Sequence, residues 1–173
     1  MHSFGLVQVY TGNGKGKTTA AIGQALRACG HGARVIMIQF MKGREYGELK
    51  SAAHLPGLRI FQYGRDEFVD KRNPETVDID LARQGFEKAA KIMEYHECDL
   101  LILDEANVAI DYGLLKLDDV LNLLQNKPAE MEVILTGRNA ARELMAMADL
   151  VTEMLEIKHP YQRKIEMRKG IDY

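Results

Sequence analysis

A glycine-rich run near the start of the sequence has the residue types that bind phosphate. Residues 11–19 read Thr-Gly-Asn-Gly-Lys-Gly-Lys-Thr-Thr, between a short apolar run and a helical pattern. Glycines let backbone amides point at phosphate oxygens, and the N-terminus of the following helix adds partial positive charge. The spacing predicts that Lys17 contacts phosphate and the Thr18 hydroxyl contacts magnesium. The usual motif has glycine where this sequence has Thr11, so a glycine-rich turn with solvated lysines is the alternative.

A pair of acidic residues ends a second apolar run. Leu100–Leu103 is followed by Asp104 and Glu105. Proteins with a phosphate loop place a carboxylate toward magnesium at the end of such a strand. Many buried strands also end in an acid simply for solvation. Glu105 could polarise water, or it could serve the metal or the nucleotide, and the sequence alone leaves these roles open.

A third apolar run ends in Thr136, Gly137 and Arg138. In an open parallel sheet, ligands bind beyond the carboxyl ends of the strands. A guanidinium at that edge can hold phosphate through two hydrogen bonds. A plain surface arginine near a helix start explains Arg138 equally well.

Short apolar runs alternate with longer helical patterns along the whole sequence. This pattern predicts an α/β fold, with a mostly parallel sheet covered by helices on both faces. The irregular residues 41–73 are expected to be functional, because long irregular segments in small proteins often are. Predicted strands cover residues 5–10, 34–40, 58–62, 100–103, 132–136 and 150–157, and predicted helices cover residues 17–29, 74–97, 117–125 and 139–147.

Composition limits the classes of protein to which the sequence can belong. Its 173 residues predict a single domain, residues 1–173. The net charge of −2 argues against a dedicated nucleic-acid binder. Two cysteines are too few for a disulfide scaffold, and the histidines lack metal-ligand spacing. No apolar run approaches the roughly 20 residues of a membrane span, and no signal peptide is visible. We therefore expect a cytoplasmic protein with neither a membrane nor a nucleic-acid partner.

These motifs, in this order, resemble the ATP:corrinoid adenosyltransferases of the CobA/CobO/BtuR type. The resemblance runs from Gly5 to Tyr173. It depends on VYTGNGKGKTTAA, ALRACGHGARV, IQFMKG with a following YGE, LLILDEAN, VILTGRNA, ADLVTEM, KHPY and RKGIDY. Threonine at position 11 is a trait of that family.

The resemblance implies a phosphate-loop NTPase fold with a RecA-like core. It implies transfer of the 5′-deoxyadenosyl group of ATP to the cobalt(I) of a corrinoid, cobalamin or cobinamide, with triphosphate as the leaving group. It also implies Mg²⁺ or Mn²⁺ as the metal, a homodimer and a flavoprotein reductant. Because cobalt is the nucleophile, the protein has to orient ATP and neutralise the triphosphate rather than supply a base.

The resemblance also assigns roles to individual residues. Those implied to bind the triphosphate are Gly12, Asn13, Gly14, Lys15, Gly16, Lys17, Thr18 and Thr19. Those implied to surround the metal are Thr18, Asp104 and Glu105, and the catalytic groups are Lys15, Lys17 and Glu105. Arg27 is implied to contact the nucleoside and Arg138 phosphate. Residues bordering the corrinoid are Gln39, Phe40, Met41, Lys42 and Glu48.

The sequence departs from the family in two places. Longer members carry an extension before the first strand, whereas this sequence begins about five residues ahead of it, so no lid from such an extension is expected. The family tends to place aromatic residues below cobalt within Gly64–Asn73, and here Phe68 matches but Val69 and Asp70 follow. A phosphate-loop ATPase or kinase, or a non-catalytic adaptor that binds ATP and corrinoid, are the alternative functions.

Overall fold

The computed structural model describes residues 4–172, and these form a sheet of six parallel strands with helices on both faces. Tyr173, the last residue of the closing motif, lies outside the described residues. The strands are β1 (Val7–Thr11), β2 (Val35–Phe40), β3 (Leu58–Tyr63), β4 (Leu100–Asp104), β5 (Glu132–Thr136) and β6 (Leu150–Glu153). The helices are α1 (Lys17–Gly30), α2 (Gly47–Ala52), α3 (Thr76–Glu94), α4 (Ala106–Asp111), α5 (Leu117–Gln125) and α6 (Arg142–Met147), with a 3₁₀ turn at Pro160–Arg163.

The strand order is β3-β2-β4-β5-β1-β6. Because every pair is parallel, the carboxyl ends of all six strands lie along one edge of the sheet. Consecutive strands β1 and β2 are separated by β4 and β5, so the loops that follow β1, β2, β4 and β5 converge there. This confirms the predicted α/β class, and it places the phosphate loop beside the acidic pair.

Two apolar layers fill the space between the sheet and its helices. On one face, small residues of α1, including Ala21 and Ala25, pack on Met37 and Ile102. On the other face, the larger cluster joins α3, α4, α5 and α6 to the remaining strand side chains, with Ile38 and Leu103 fully covered. Strands β2, β4 and β5 are buried along their whole length, which explains their continuous apolar sequences.

The last strand is shorter and more exposed than the sequence predicts. It ends at Glu153 rather than near Ile157, and all four of its residues are exposed. It pairs only with β1, so it is an edge strand. Directly after β6, the Met154 amide donates to the Thr11 carbonyl over 2.9 Å. This hydrogen bond holds the segment after β6 against the start of the phosphate loop.

The helices also differ from their predicted bounds. The long helix α3 begins at Thr76, because the side chains of Glu75 and Asp78 form a capping box, and Pro74 therefore precedes the helix. Helix α6 begins only at Arg142, since Asn139 has a left-handed backbone with φ of 56°. The short helices α2 and α4 were not predicted. Across residues 4–172, no helix is both long and apolar enough to cross a membrane.

The backbones of the loops after β2 and β3 are in direct contact. A Cβ on Gly64 would lie 2.2 Å from the Lys42 amide nitrogen and 2.4 Å from the Met41 carbonyl carbon. The Met41 amide donates to the Tyr63 carbonyl over 3.0 Å at the same place. Only glycine fits this contact, and the contact fixes the backbone that carries Lys42.

We expect Gly64→Ala to lower the free energy of unfolding by about 2 kcal/mol or more, because backbone atoms must move to accept the methyl group. Gly23→Ala in α1 is the matched control, since nothing lies within 4 Å of its Cβ position. That change should stabilise by up to about 1 kcal/mol. Urea denaturation followed by circular dichroism measures both, and a Gly64→Ala variant as stable as the parent protein would contradict the contact.

Candidate active site

The phosphate loop connects β1 to α1, as predicted, and residues 12–16 form its turn. The buried Lys17 side chain folds back so that Nζ donates to the carbonyls of Gly12 and Gly14, over 2.7 and 2.6 Å. The Gly14 amide donates to the Met154 carbonyl over 2.7 Å. A Cβ on Gly14 would lie 2.7 Å from the carbonyl oxygens of both Met154 and Leu155. The segment after β6 therefore backs the loop and holds its shape.

Positive charges surround the mouth of the loop. Burial lowers the pKa of Lys17, and the charge of Arg138 lowers it further, while Glu105 and Asp104 oppose this. Arg138 is exposed two residues after β5, and its charge acts on Lys17. Phosphate binding by Arg138 stays a prediction.

The Asp104 carboxylate is completely buried and accepts four hydrogen bonds. Its Oδ1 atom accepts from the hydroxyls of Thr18 and Thr136, over 2.8 and 2.7 Å. Its Oδ2 atom accepts from Lys42 Nζ and Gln39 Nε2, over 2.7 and 3.2 Å. These four donors come from α1, β5, the loop after β2 and β2 itself. A single carboxylate thus gathers three separate parts of the chain at the carboxyl edge of the sheet: α1, β2 with the loop that follows it, and β5.

Strand register explains how this cluster forms. Gln62 pairs with Gln39, and Gln39 pairs with Asp104, on the adjacent strands β3, β2 and β4. Thr136 follows at the same height, because the preceding residues Leu103 and Leu135 are paired. The Gln62 amide donates to Gln39 Oε1 over 3.0 Å, which extends the row to the edge of the sheet. We call Gln62, Gln39, Asp104 and Thr136 the polar row.

Sequence reasoning missed Gln62 and did not foresee that Gln39 is a buried member of this row. The available signal was a glutamine near the end of each of two apolar strands. Gln39 also donates to Glu48 Oε1 over 3.1 Å, so Glu48 of the unpredicted helix α2 joins the cluster. The structure therefore brings Lys42 and Glu48 into the cluster that contains Thr18 and Asp104, and their role at the corrinoid border stays a prediction.

Lys42 is the cation closest to the acidic centre. Its Nζ lies 2.7 Å from Asp104 Oδ2 and 3.5 Å from Thr18 Oγ1. Burial alone would lower the pKa of Lys42, but the charge and hydrogen bond of Asp104, aided by Glu105 and Glu48, outweigh burial and raise it. Lys42 therefore stays charged and balances the buried carboxylate.

Glu105 has a left-handed backbone, with φ of 60°, at the junction of β4 and α4. Its amide donates to Thr136 Oγ1 over 3.0 Å, which fixes this conformation. Burial and the neighbouring Asp104 charge raise the pKa of the Glu105 carboxyl, against the opposing effect of Lys42, Lys17 and Arg138. The charges of Lys42, Lys17 and Arg138 therefore all act on this carboxyl, and its role beside metal or nucleotide stays a prediction.

Lys15 points away from the interior of the loop. Its Nζ lies 2.9 Å from Asp172 Oδ1 and also donates to the Ile171 carbonyl over 3.0 Å. The hydrogen bond from Lys15, followed by that from the Arg168 amide, lowers the pKa of Asp172. In this structure Lys15 anchors the carboxyl-terminal segment to the loop, a contact that sequence reasoning missed.

Two predicted site residues, Phe40 and Arg27, lie away from the phosphate loop, and a third, Phe68, lies on the exposed surface. The expectation that Phe40 borders a ligand is wrong, because its ring is 1% exposed and packs in the core beside Gly85. Arg27 is exposed in the last turn of α1, about 15 Å along the helix from Lys17, and bonds to Gln24. The structure does not bring Arg27 to the loop. Phe68 is 86% exposed, with the Arg44 guanidinium 5.8 Å from its ring centre.

The Thr18 hydroxyl and the Asp104 carboxylate form a donor set that suits magnesium. Magnesium prefers oxygen ligands and is often held by only one or two protein groups, together with waters and substrate phosphates. In residues 4–172, no cluster of three or more His, Cys, Asp and Glu side chains could hold a metal by itself. A cationic group, the Lys42 ammonium, already lies against both oxygens. The residues therefore fit a metal shared with a phosphate ligand.

The sequence matches a family model described as ATP:corrinoid adenosyltransferase BtuR/CobO/CobP over residues 3–173. The chain belongs to this family. It is 36% identical over 170 residues to the corrinoid adenosyltransferase of Escherichia coli strain K12, covering 98% of this chain and 86% of that protein. It is 35% identical over 170 residues to the Pseudomonas aeruginosa corrinoid adenosyltransferase, covering 98% and 84%. The corrinoid adenosyltransferase CobA of Salmonella typhimurium is 33% identical over 169 residues, covering 98% and 86%.

The fold is shared with a distant solved structure. The flagellar accessory protein FlaH from Methanocaldococcus jannaschii superposes with a TM-score of 0.59 at 12% identity, over 86% of this chain and 70% of that one. At this identity the likeness shows the fold alone. It agrees with the phosphate-loop α/β architecture expected from the sequence.

The raised pKa of Glu105 predicts how stability depends on pH. A raised pKa means that the folded protein binds this proton more tightly than the unfolded chain, so the ionised carboxylate costs stability above the usual glutamate pKa of about 4.3. Glu105→Gln removes that cost and should raise the free energy of unfolding at pH 8. The advantage should shrink as the pH falls toward about 4.

Urea unfolding at several pH values measures this difference. Glu87→Gln, on the exposed face of α3, is the control and should show no comparable pH-dependent gain. An advantage of Glu105→Gln that stays constant, or grows toward acid pH, would contradict the assignment.

Proposed function

We propose that this protein transfers the 5′-deoxyadenosyl group of ATP to the cobalt(I) of a corrinoid. A bond forms between cobalt and the 5′-carbon, the bond from that carbon to the triphosphate oxygen breaks, and triphosphate leaves intact. Membership of the adenosyltransferase family supports this reaction. The observation that carries the proposal is the convergence of Lys17, Lys42 and Arg138 around the loop mouth, where a leaving triphosphate would need neutralising.

The protein's contribution is electrostatic and positional. Fixed cations aimed at a leaving anion lower the barrier to its departure, and they act strongly where water is excluded. The Lys17 Nζ atom donates to two loop carbonyls at the start of the helix. A triphosphate bound in the loop would accept these hydrogen bonds in place of the carbonyls. Arg138 reaches the same region from β5. We therefore propose Lys17 and Arg138 as triphosphate ligands, with the loop amides of residues 12–19.

A divalent cation would be held by Thr18 and Asp104, with Glu105 beside them. When bound, magnesium or manganese would neutralise charge on the triphosphate. Asp104 orients the Thr18 hydroxyl through a 2.8 Å hydrogen bond, so both oxygens are already in place. Glu105 faces Lys17 and Lys42, and we propose that its carboxylate balances these lysines after triphosphate leaves.

The corrinoid would approach from the loops after β2 and β3. Gln39 donates a hydrogen bond to Glu48, and Lys42 donates one to Asp104. These bonds fix the side chains of Glu48 and Lys42 on the side of the loop that faces the sheet. Phe68 offers an exposed aromatic ring on the second loop. We propose that Lys42, Glu48 and Phe68 border the corrinoid, and that Phe40 supports the loop from within the core.

We further propose that residues 1–173 form one catalytic domain that functions as a cytoplasmic homodimer with a flavoprotein reductant. The single sheet of the described residues and the family match to residues 3–173 support the domain assignment. Exposed apolar side chains of β6 and the following segment, including Leu150, Val151 and Leu155, offer a surface for a second copy.

The direct test is anaerobic incubation with ATP, magnesium and chemically reduced cobalamin. We expect the absorbance spectrum of adenosylcobalamin to develop, with triphosphate and no ADP among the products. Lys17→Ala should weaken ATP binding at least about 100-fold and abolish product, because it removes the cation in the loop. Lys91→Ala, on the exposed surface of α3, is the matched control and should retain the rate.

Two results would contradict the proposal. Release of ADP and phosphate would identify a hydrolase or kinase. Normal ATP binding and saturable corrinoid binding without adenosylation would identify a non-catalytic adaptor.

A further inference from the structure

The Lys42 ammonium lies within hydrogen-bond distance of both groups that suit a metal, the Asp104 carboxylate and the Thr18 hydroxyl. Its Nζ lies 2.7 Å from Asp104 Oδ2 and 3.5 Å from Thr18 Oγ1. Its side chain is only 14% exposed, and that of Asp104 is 0% exposed. A divalent cation bound by Thr18 and Asp104 would be repelled by this ammonium, because the ammonium lies close to both ligands.

We propose that Lys42 is a resident cation of the Thr18–Asp104 pair, and that a divalent metal arriving with triphosphate displaces its side chain. The inference rests on the proposed function, since that function supplies the metal and the triphosphate. It goes further by giving Lys42 two positions, one against Asp104 and one away from it.

The structure limits where the displaced side chain can go. The Lys42 backbone is fixed by its close contact with Gly64, so the ammonium has to move by rotation of the side chain. The centre of the Tyr46 ring is 5.3 Å from Nζ even while Nζ is bonded to Asp104, so the ring can keep the ammonium on its face as the side chain rotates away. The Glu48 carboxylate also acts on the Lys42 charge. Of these two partners, Glu48 is one of the residues that we propose border the corrinoid, and Tyr46 lies two positions before it.

The exchange therefore links metal binding to the corrinoid border. Without metal, Lys42 balances the buried charge of Asp104. With metal, that charge is balanced by the metal, and Lys42 becomes available to Tyr46, Glu48 and the leaving triphosphate. Entry of metal and triphosphate would in this way change the surface that the corrinoid meets.

Binding of Mn²⁺ alone, without nucleotide, tests the competition. Titration followed by the electron paramagnetic resonance signal of free Mn²⁺ gives the affinity. Lys42→Met should bind Mn²⁺ about tenfold more tightly or better, because a positive charge within a few ångströms is removed from the site. Arg138→Met is the control, since it removes a nearby charge that acts on Lys17 and Glu105. Arg138 supplies none of the hydrogen bonds made to Thr18 or Asp104 in the described part of the chain.

We expect a change of less than about threefold for Arg138→Met. Equal tightening by both substitutions would reveal a general charge effect and overturn the proposal, as would an unchanged or weaker affinity of Lys42→Met. Because this readout needs no corrinoid, it is independent of adenosyl transfer. If the parent protein adenosylates cobalamin but Lys42→Met leaves the Mn²⁺ affinity unchanged, only the proposed exchange is overturned. If Lys42→Met tightens Mn²⁺ binding but the parent protein does not adenosylate cobalamin, only the proposed function is overturned.

A second readout does not depend on the folding of Lys42→Met. The sequence contains no tryptophan, so Tyr46→Trp introduces a single fluorescent reporter beside Lys42. Addition of Mg²⁺ with inorganic triphosphate should change its emission as the ammonium moves. An emission that stays the same when binding of both is saturated would overturn the exchange.

Discussion

The structure depends on keeping one carboxylate charged without access to water. Asp104 ends the central strand β4 and is completely buried, so its charge has to be matched by donors and by a cation. Four hydrogen bonds, one of them from the Lys42 ammonium, meet that requirement. A buried ion pair of this kind need not add stability, but loss of either partner alone is expensive, because a buried charge is then left unmatched.

That requirement explains why distant parts of the sequence meet at one edge of the sheet. The donors to Asp104 come from α1, from β2 with the loop that follows it, and from β5, and three of them also position a group with a proposed role. Thr18 brings the phosphate loop, Thr136 fixes the amide of Glu105, and Gln39 holds Glu48. The nucleotide side and the corrinoid border are therefore connected through hydrogen bonds to a single side chain. The same arrangement lets one cation replace another at the centre without rearranging the sheet.

Much of this could be predicted from the sequence, because local signals specify it. The loop of residues 11–19, the buried strands β2, β4 and β5, and helix α5 follow from glycine spacing and apolar patterning. The polar row could not be predicted, since its members meet only through strand register, which depends on the whole sheet. Phe40 shows the opposite error, where a residue within a family motif proved to be core. The pairing of Lys15 with Asp172 is likewise a long-range contact with no local signal.

The central claim is that Asp104 and Lys42 stabilise each other as a buried pair at the meeting point of these segments. A double-mutant cycle on the free energy of unfolding, using Asp104→Asn, Lys42→Met and the double variant, tests it most directly. We predict that the double variant is less destabilised than the sum of the single variants by at least about 1 kcal/mol, because removing both partners leaves no unmatched charge. Effects that add within about 0.3 kcal/mol would contradict the account.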